Sequence, residues 1–135
     1  MTDTRLHTPV CTLLGCDVPI LLAGMGGVAR SELVAAVAEA GGYGILGMVR
    51  ETPQLIAEEI AAVRARTARP FAVNLIPAAT DPALLDAELG VCLDLGVQAM
   101  CFFWDVVPAA VARAKAAGCL VLHQVGSLKA ALAAE

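Results

Sequence analysis

Charge is scarce in this chain, and basic residues are not in excess. Only 16% of the 135 residues are charged, and the formal net charge is −4. Proteins that bind nucleic acid concentrate lysine and arginine on one face, so no nucleic-acid partner is predicted. The apolar runs are shorter than the about 20 residues of a membrane-spanning helix, and residues 1–10 lack the apolar centre of a secretion signal. No membrane association is predicted, and a cytoplasmic location is expected.

Closely spaced pairs of cysteine and histidine are absent as well. The chain has five cysteines and two histidines. They do not lie at the spacings of zinc sites, and an odd number of cysteines does not suit a disulfide framework. No metal site is predicted. The thiols are expected to be reduced and buried as small apolar side chains; they belong to Cys11, Cys16, Cys92, Cys101 and Cys119.

Apolar residues are abundant and make up 59% of the sequence. A small free-standing domain needs a large polar surface, because its surface is large relative to its volume. The length suits a single domain over residues 1–135. The composition, however, favours a part of a larger core or a subunit with covered faces, so a homo-oligomer stays open.

Short β-rich runs alternate with helical stretches along the whole chain. The runs begin near residues 19, 43, 71, 98 and 119, so a strand–helix unit recurs every 21 to 28 residues. Each intervening stretch begins with a residue that favours a helix N-terminus: Ser31, Thr52, Asp81, Pro108 and Ser127. Gly41, Gly96 and Gly118 are placed to end three of these helices in a left-handed conformation.

Five buried strands in successive strand–helix units indicate an α/β protein with a parallel sheet. An open doubly wound sheet and an incomplete (βα)8 barrel both fit this pattern. A complete barrel takes about 250 residues, so the chain would hold about five of its eight units. The excess of apolar residues favours the barrel. It predicts parallel strands side by side in chain order, centred on Ile20, Ile45, Val73, Met100 and Val121.

A glycine-rich turn follows the first predicted strand. Residues 24–29 read GMGGVA, and glycine lets main-chain N–H groups approach an anionic or planar ligand closely. The segment matches G-x-G-x-x-A, a variant of the dinucleotide-binding fingerprint. That fingerprint also needs an acidic residue at the end of the second strand, where residues 47–50 read GMVR. A dinucleotide-binding fold is therefore the second interpretation.

Five segments, taken in order, resemble the nitronate monooxygenase family, once called 2-nitropropane dioxygenases. They are PILLAGMGGVA (19–29), EAGGYGILG (39–47), PFAVNLIP (70–77), VQAMCFFWD (97–105) and GCLVLHQVGSLKAALAAE (118–135). Family members are FMN-dependent TIM barrels that oxidise alkyl nitronates with dioxygen, and the resemblance implies this cofactor and these substrates. FMN-dependent enoyl-acyl-carrier-protein reductases share the early segments and give an alternative activity. A non-catalytic partial barrel is an alternative of another class.

The resemblance also implies which residues contact FMN. The family has a Pro-Met pair at the end of the first strand, where this chain has Gly24 and Met25; Gly26 belongs to the same turn. The family's asparagine in the third strand matches Asn74, for which a purely structural hydrogen bond is the alternative. Gln124 ends the fifth strand, where the family places polar residues that face the cofactor.

The family's catalytic histidine has no counterpart in these residues. In the family it follows a sixth strand, and the phosphate-binding loops come after strands seven and eight. His123 lies one strand too early and is interpreted as structural, whereas Trp104 and Asp105 are interpreted as packing at a helix entry. Leu22 stands where the family usually has a glutamine. The sequence therefore predicts cofactor contacts without a catalytic residue, and the 135-residue chain alone is expected not to turn over nitronate.

Overall fold

A computed structural model describes residues 6–135 of the chain. Its helices are α1 (Pro9–Leu14), α2 (Ser31–Glu39), α3 (Pro53–Arg66), α4 (Pro82–Asp94), α5 (Pro108–Ala116) and α6 (Leu128–Ala134). Its strands are β1 (Gly44–Gly47), β2 (Phe71–Leu75), β3 (Ala99–Phe103) and β4 (Leu120–Gln124), and a 3-10 turn spans Pro77–Ala79. Strands and helices alternate from β1 to α6, as the sequence pattern predicts.

The four strands form one parallel sheet in the order β1-β2-β3-β4. A doubly wound sheet reverses its strand order at a switch point, and no reversal occurs among residues 6–135. The sequential order predicted for a barrel is confirmed. The register places Gly47 beside Asn74 and Asn74 beside Cys101, while Phe103 pairs with Gln124.

The first of the five predicted strands is not a strand but a single parallel bridge between Leu21 and Tyr43. Two backbone hydrogen bonds hold it: Tyr43 N–H donates to the Ile20 carbonyl, and Leu22 N–H donates to the Tyr43 carbonyl, both at 2.9 Å. The chain then bends, because Met25 N–H donates back to the Ala23 carbonyl at 2.8 Å. This bend ends the pairing with β1 before a regular ladder develops.

Three of the predicted helix starts have a side-chain cap. Thr52 Oγ1 accepts a hydrogen bond from Leu55 N–H at 3.2 Å, and Asp81 Oδ1 accepts from Ala83 N–H at 3.0 Å. Ser127 Oγ accepts from Ala130 N–H at 3.1 Å. Each cap satisfies a backbone donor that the first turn of a helix leaves unpaired.

The prediction that Ser31 caps α2 is wrong. Arg30 stands at the cap position without a side-chain cap bond, and Ser31 is the first helical residue. Ser31 N–H instead donates to Glu59 Oε2 of α3 at 2.7 Å, so a carboxylate from the next helix satisfies this donor. The predicted end of α2 is confirmed, since Gly41 lies just beyond it with φ at +93°.

The two faces of the sheet have separate cores. On the outer face, residues such as Val73 and Phe102 pack against helix residues such as Ile56 and Leu89. On the inner face, Ala72, Ala99 and Cys101 pack with Cys11 and Leu14 of α1. Helix α1, which has no counterpart among the predicted helices, therefore covers the amino ends of the strands.

The cysteine side chains belong to these two cores. All five cysteines are buried and free, as predicted. In this part of the chain no group of three or more potential metal-binding side chains is found. None of the described helices is long and apolar enough to cross a membrane.

Candidate functional site

The glycine turn lies directly on the carboxyl ends of β1 and β2. A Cβ atom at Gly24 would come within 2.3 Å of the Asn74 Cβ, and one at Gly47 would come within 2.3 Å of the Met25 carbonyl oxygen. Real Cβ atoms do not approach other atoms this closely, so both positions require glycine. The Gly24–Met25 backbone is thereby seated against β1 on one side and the Asn74 side chain on the other.

The turn closes through its own backbone. The Met25 carbonyl accepts hydrogen bonds from Ala29 N–H at 2.8 Å and from Val28 N–H at 3.2 Å. Gly27 has φ at +75°, and a Cβ atom at Gly26 would meet nothing within 4 Å. Among residues 6–135, the N–H groups of Gly26 and Gly27 have no acceptor. The turn is therefore closed by its own backbone, and two of its N–H groups are left without an acceptor among the described residues.

The Met25 side chain is partly exposed. The residue is 41% exposed, although the backbone around it is tightly packed. The strand ends meet at this edge of the sheet, and TIM-barrel enzymes place their active sites at that edge. Exposure of a large apolar side chain here is consistent with contact to a planar ligand.

Asn74 is buried, with an exposed fraction of 1%. Its Nδ2 donates to the Cys101 carbonyl at 3.0 Å and to the Leu75 carbonyl at 3.3 Å. Its amide oxygen faces the turn, where a Cβ atom at Gly24 would lie 2.8 Å from Oδ1. The amide nitrogen thus makes the structural bond that was the alternative to cofactor binding, while the rest of the amide supports the turn.

Gln124 faces the same side of the sheet as Asn74. The register aligns Asn74 with Cys101 and Cys101 with Leu122, and Gln124 follows Leu122 by two residues, which restores the side-chain direction. It lies two strands from Asn74, about 10 Å across the sheet, and two residues closer to the carboxyl end. The structure thus brings Gly24, Met25, Gly26 and Asn74 together and leaves Gln124 at the far side of the same face.

His123 points to the opposite face. Its ring packs edge-on against Phe102, with ring centroids 6.2 Å apart, and Phe102 belongs to the outer core that faces the helices. Its Nδ1 lies 3.2 Å from the Gln124 carbonyl oxygen. His123 therefore lies on the face opposite to Asn74 and Gln124, and its structural role stays a prediction.

A charged network beside the turn was not predicted from the sequence. Glu88 of α4 is fully buried, and its Oε1 accepts a hydrogen bond from Glu51 N–H at 3.0 Å. The Glu51 carboxylate pairs with the Arg30 guanidinium. Arg30 directly follows the turn and also donates to Met48 Sδ at 3.6 Å. The network therefore joins α4, the loop between β1 and α3, and the end of the glycine turn.

Burial is the main cause of a change in the acidity of Glu88. It raises the pKa of this carboxyl to about 7, and the backbone hydrogen bonds from Glu51 and Arg50 oppose the rise. One sequence signal marks the residue: Glu88 lies three residues after Leu85 and four before Cys92, on the stripe that α4 turns inward. A carboxylate on such a stripe must be paired or have a raised pKa.

Residues 7–135 of the chain match a protein-family model described as "Nitronate monooxygenase". A curated relative from Mycobacterium tuberculosis is named (3aS,4S,5R,7aS)-5-hydroxy-7a-methyl-1-oxo-octahydro-1H-indene-4-carboxyl-CoA dehydrogenase. It is 36% identical over 93% of this chain and 34% of its own length. A nitronate monooxygenase of Paraburkholderia phytofirmans is 39% identical over 62% of this chain and 24% of its own length. The chain thus spans about a third or less of these relatives.

Solved structures share the fold of the chain. FabK from Thermotoga maritima superposes with a TM-score of 0.87 at 32% identity, over 95% of this chain and 40% of that one. Nitroalkane oxidase from Streptomyces ansochromogenes superposes with a TM-score of 0.79 at 29% identity, over 93% of this chain and 45% of that one. These neighbours are TIM-barrel enzymes, so the α/β sheet described here is part of a (βα)8 barrel.

Proposed function

Because the chain belongs to the nitronate monooxygenase family, a family of oxidoreductases, we propose that it forms the cofactor-binding first units of an FMN-dependent nitronate monooxygenase. The observation that carries the proposal is the close packing of the Gly24–Met25 backbone against Gly47 and Asn74. Packing too close for any Cβ atom fixes this backbone at the edge where barrels bind their ligands. Its open side offers the N–H groups of Gly26 and Gly27.

The residues present suit a flavin. The unpaired N–H groups of the turn can donate to the polar edge of a flavin ring, and Met25 can cover its apolar part. Gln124 can make a further polar contact from the far side of the same face. FMN, when bound, supplies the electron transfer from an alkyl nitronate to dioxygen, while the protein supplies orientation and electrostatics.

A test of the proposal uses Gly26→Ala. A Cβ atom at this position meets nothing of the protein within 4 Å, so the variant should fold normally while its methyl group projects toward a ligand on the turn. We expect its Kd for FMN, measured by quenching of flavin fluorescence, to rise about tenfold, which is about 1.4 kcal/mol. Gly90→Ala in α4 is the matched control and should leave the Kd unchanged.

Equal FMN affinity of the Gly26→Ala variant and the parent chain would remove the turn from the flavin site. If neither protein binds FMN, the 135 residues do not form a flavin site by themselves. The same pair of variants should then be compared in the longest form of the protein that its gene encodes. An unchanged affinity in that form as well would overturn the proposal.

An acyl thioester substrate is the second candidate, since the relative from Mycobacterium tuberculosis is named a carboxyl-CoA dehydrogenase. Acyl thioester substrates include the enoyl thioesters of the reductase activity that the sequence gives as an alternative. Flavin reduction under anaerobic conditions separates the two candidates. An alkyl nitronate, or an acyl thioester that is dehydrogenated, would donate electrons and bleach the flavin absorbance, whereas an enoyl thioester would reoxidise a flavin that had been reduced beforehand. Each compound is therefore added separately, and the one that changes the flavin absorbance identifies the substrate class.

A further inference from the structure

Glu88 is a buried carboxyl with one satisfied oxygen and one that is not. Its residue is fully buried in α4, and Oε1 accepts from Glu51 N–H at 3.0 Å. Oε2 is buried and has no hydrogen-bond partner among the described residues. A buried polar atom without a partner is unfavourable, and its persistence in a packed core suggests that Glu88 does more than fill space.

The loop that Glu88 contacts has a strained backbone. Arg50 has φ at +58°, one of two left-handed residues other than glycine in residues 6–135. Such a conformation costs about 1–3 kcal/mol unless the surroundings hold it. Successive N–H groups around a left-handed residue form a concavity that binds anions. The Glu88 carboxyl lies at this bend of the chain, where its Oε1 accepts a hydrogen bond from the N–H of Glu51, the residue that follows Arg50.

The same loop connects to its neighbours on both sides. Arg50 Nε donates to the Ala79 carbonyl at 3.1 Å, which joins it to the 3-10 turn after β2. On the other side, the Glu51 carboxylate pairs with Arg30, which directly follows the glycine turn. Three consecutive segments at the carboxyl ends of the strands are thus joined through the two residues that face Glu88.

We propose that Glu88 is a positioning residue whose charge state sets how firmly the β1–α3 loop is held, and through Glu51 and Arg30 how firmly the glycine turn is held. When it is ionised, the bond from Glu51 N–H becomes charge-assisted and Arg50 is attracted to the carboxylate. When it is protonated, Oε1 still accepts from Glu51 N–H, but the bond is weaker. The proposed function enters only in taking the glycine turn to be the flavin contact.

The groups around Glu88 allow this change near neutral pH. Burial raises the pKa of Glu88 to about 7. The charged groups that face it are Arg50 and Glu51 from the loop, while the Cys92 thiol lies beside it on α4. Burial keeps the pKa of that thiol about 12, so it stays neutral. Glu88 is therefore the group that titrates in this cluster between pH 6 and 8.

The sign of the effect differs between the loop and the whole fold. The folded pKa lies above the ordinary value of 4.5, so the folded state binds the proton more tightly than the unfolded state. Glu88 therefore contributes stability that is full below about pH 4.5 and is lost as the pH rises through about 7. An opening that breaks only the bond from Glu51 N–H and leaves Glu88 buried has the opposite sign, because an ionised carboxylate accepts this bond more strongly. Protection of the Glu51 amide against this local opening should therefore rise as Glu88 ionises.

Nuclear magnetic resonance of the 135-residue chain tests the proposal without any flavin. The ¹³C shift of the Glu88 carboxyl should titrate with a midpoint near 7. The hydrogen-exchange protection factor of the Glu51 amide, corrected for intrinsic exchange, should rise about tenfold from pH 6 to pH 8. The Ile56 amide, which donates to the Thr52 carbonyl at 3.0 Å, is the internal control and should show no rise.

Two variants complete the test. Glu88→Gln keeps the shape and the acceptor oxygen but cannot ionise, so the rise in Glu51 protection should vanish. Glu58→Gln, on the exposed side of α3, is the matched control and should keep it. A midpoint near 4.5 in the parent chain, or equal pH dependence in the Glu88→Gln variant, would overturn the proposal. The carboxyl titration decides the matter by itself if the variant fails to fold.

Discussion

Asn74 supports two parts of the structure at once, and its removal should affect both. Its Nδ2 bond to the Cys101 carbonyl joins β2 to β3, its Nδ2 bond to the Leu75 carbonyl lies within β2, and its side chain packs against Gly24. We expect Asn74→Ala to lower the free energy of unfolding by about 1–3 kcal/mol. It should also raise the Kd for FMN about two- to tenfold, as loss of a bond of about 0.5–1.5 kcal/mol predicts.

Thr80→Val separates the two effects. Thr80 is buried, and its Oγ1 donates to the Ile76 carbonyl at 3.0 Å. This hydrogen bond does not involve the glycine turn. This control should lose stability in urea unfolding and keep its affinity for FMN. If Asn74→Ala also keeps its affinity, Asn74 is a structural amide and the proposed cofactor contact is wrong.

Single residues were predictable where a local rule applies and not where burial depends on a distant loop. A polar amide inside an apolar strand singles out Asn74, because it must find a partner. The requirement for glycine at position 24 was visible only as a glycine-rich turn, since the approaching Asn74 comes from 50 residues further along the chain. Glu88 was missed because its partner is a backbone N–H in another loop.

At the scale of elements, the loop between β3 and α5 begins with a strained residue. Trp104 has φ at +68° and is 57% exposed. A variant with glycine at this position should have a free energy of unfolding about 1 kcal/mol higher than the variant with alanine, because only glycine adopts this conformation without cost. We therefore expect Trp104→Gly to unfold at a higher urea concentration than Trp104→Ala.

Lys115 gives the comparison for this pair. It is exposed in the last turn of α5, where glycine should be less stable than alanine by about 1 kcal/mol. The order of the two variants should therefore reverse between positions 104 and 115. The same order at both positions would show that the left-handed conformation of Trp104 is not a feature of the folded chain in solution.

Elements with local start and stop signals were predicted correctly, and those that depend on neighbours were not. Thr52, Asp81 and Ser127 cap their helices as expected because the cap bond spans only two or three residues. The first strand was reduced to one bridge by a bend that the apolar run does not encode. Ser31 does not cap α2, and its own N–H donates to Glu59 of α3.

At the scale of the whole molecule, the order of the strands follows from rules that act on every strand–helix unit. Right-handed crossovers between parallel strands place successive strands side by side, and this suffices to predict the sheet from β1 to β4. What the pattern does not contain is the number of strands that close the barrel. Among residues 6–135, β4 pairs with β3 alone, and Leu21 forms a bridge with Tyr43 alone, just before β1.

The 135-residue chain should therefore not turn over an alkyl nitronate, even if it retains FMN. Proton transfer to or from the substrate needs a base within hydrogen-bond reach, and neither histidine of the chain qualifies. His123 faces the outer core, and His7 Nε2 lies 3.0 Å from Thr12 Oγ1 of α1, at the amino ends of the strands. We expect oxygen consumption by the chain with added FMN and an alkyl nitronate to equal that of free FMN. Turnover well above the free-flavin control that His123→Ala abolishes would contradict this prediction. It would mean that His123 reaches the mouth of the barrel in solution and that the site contains its own base.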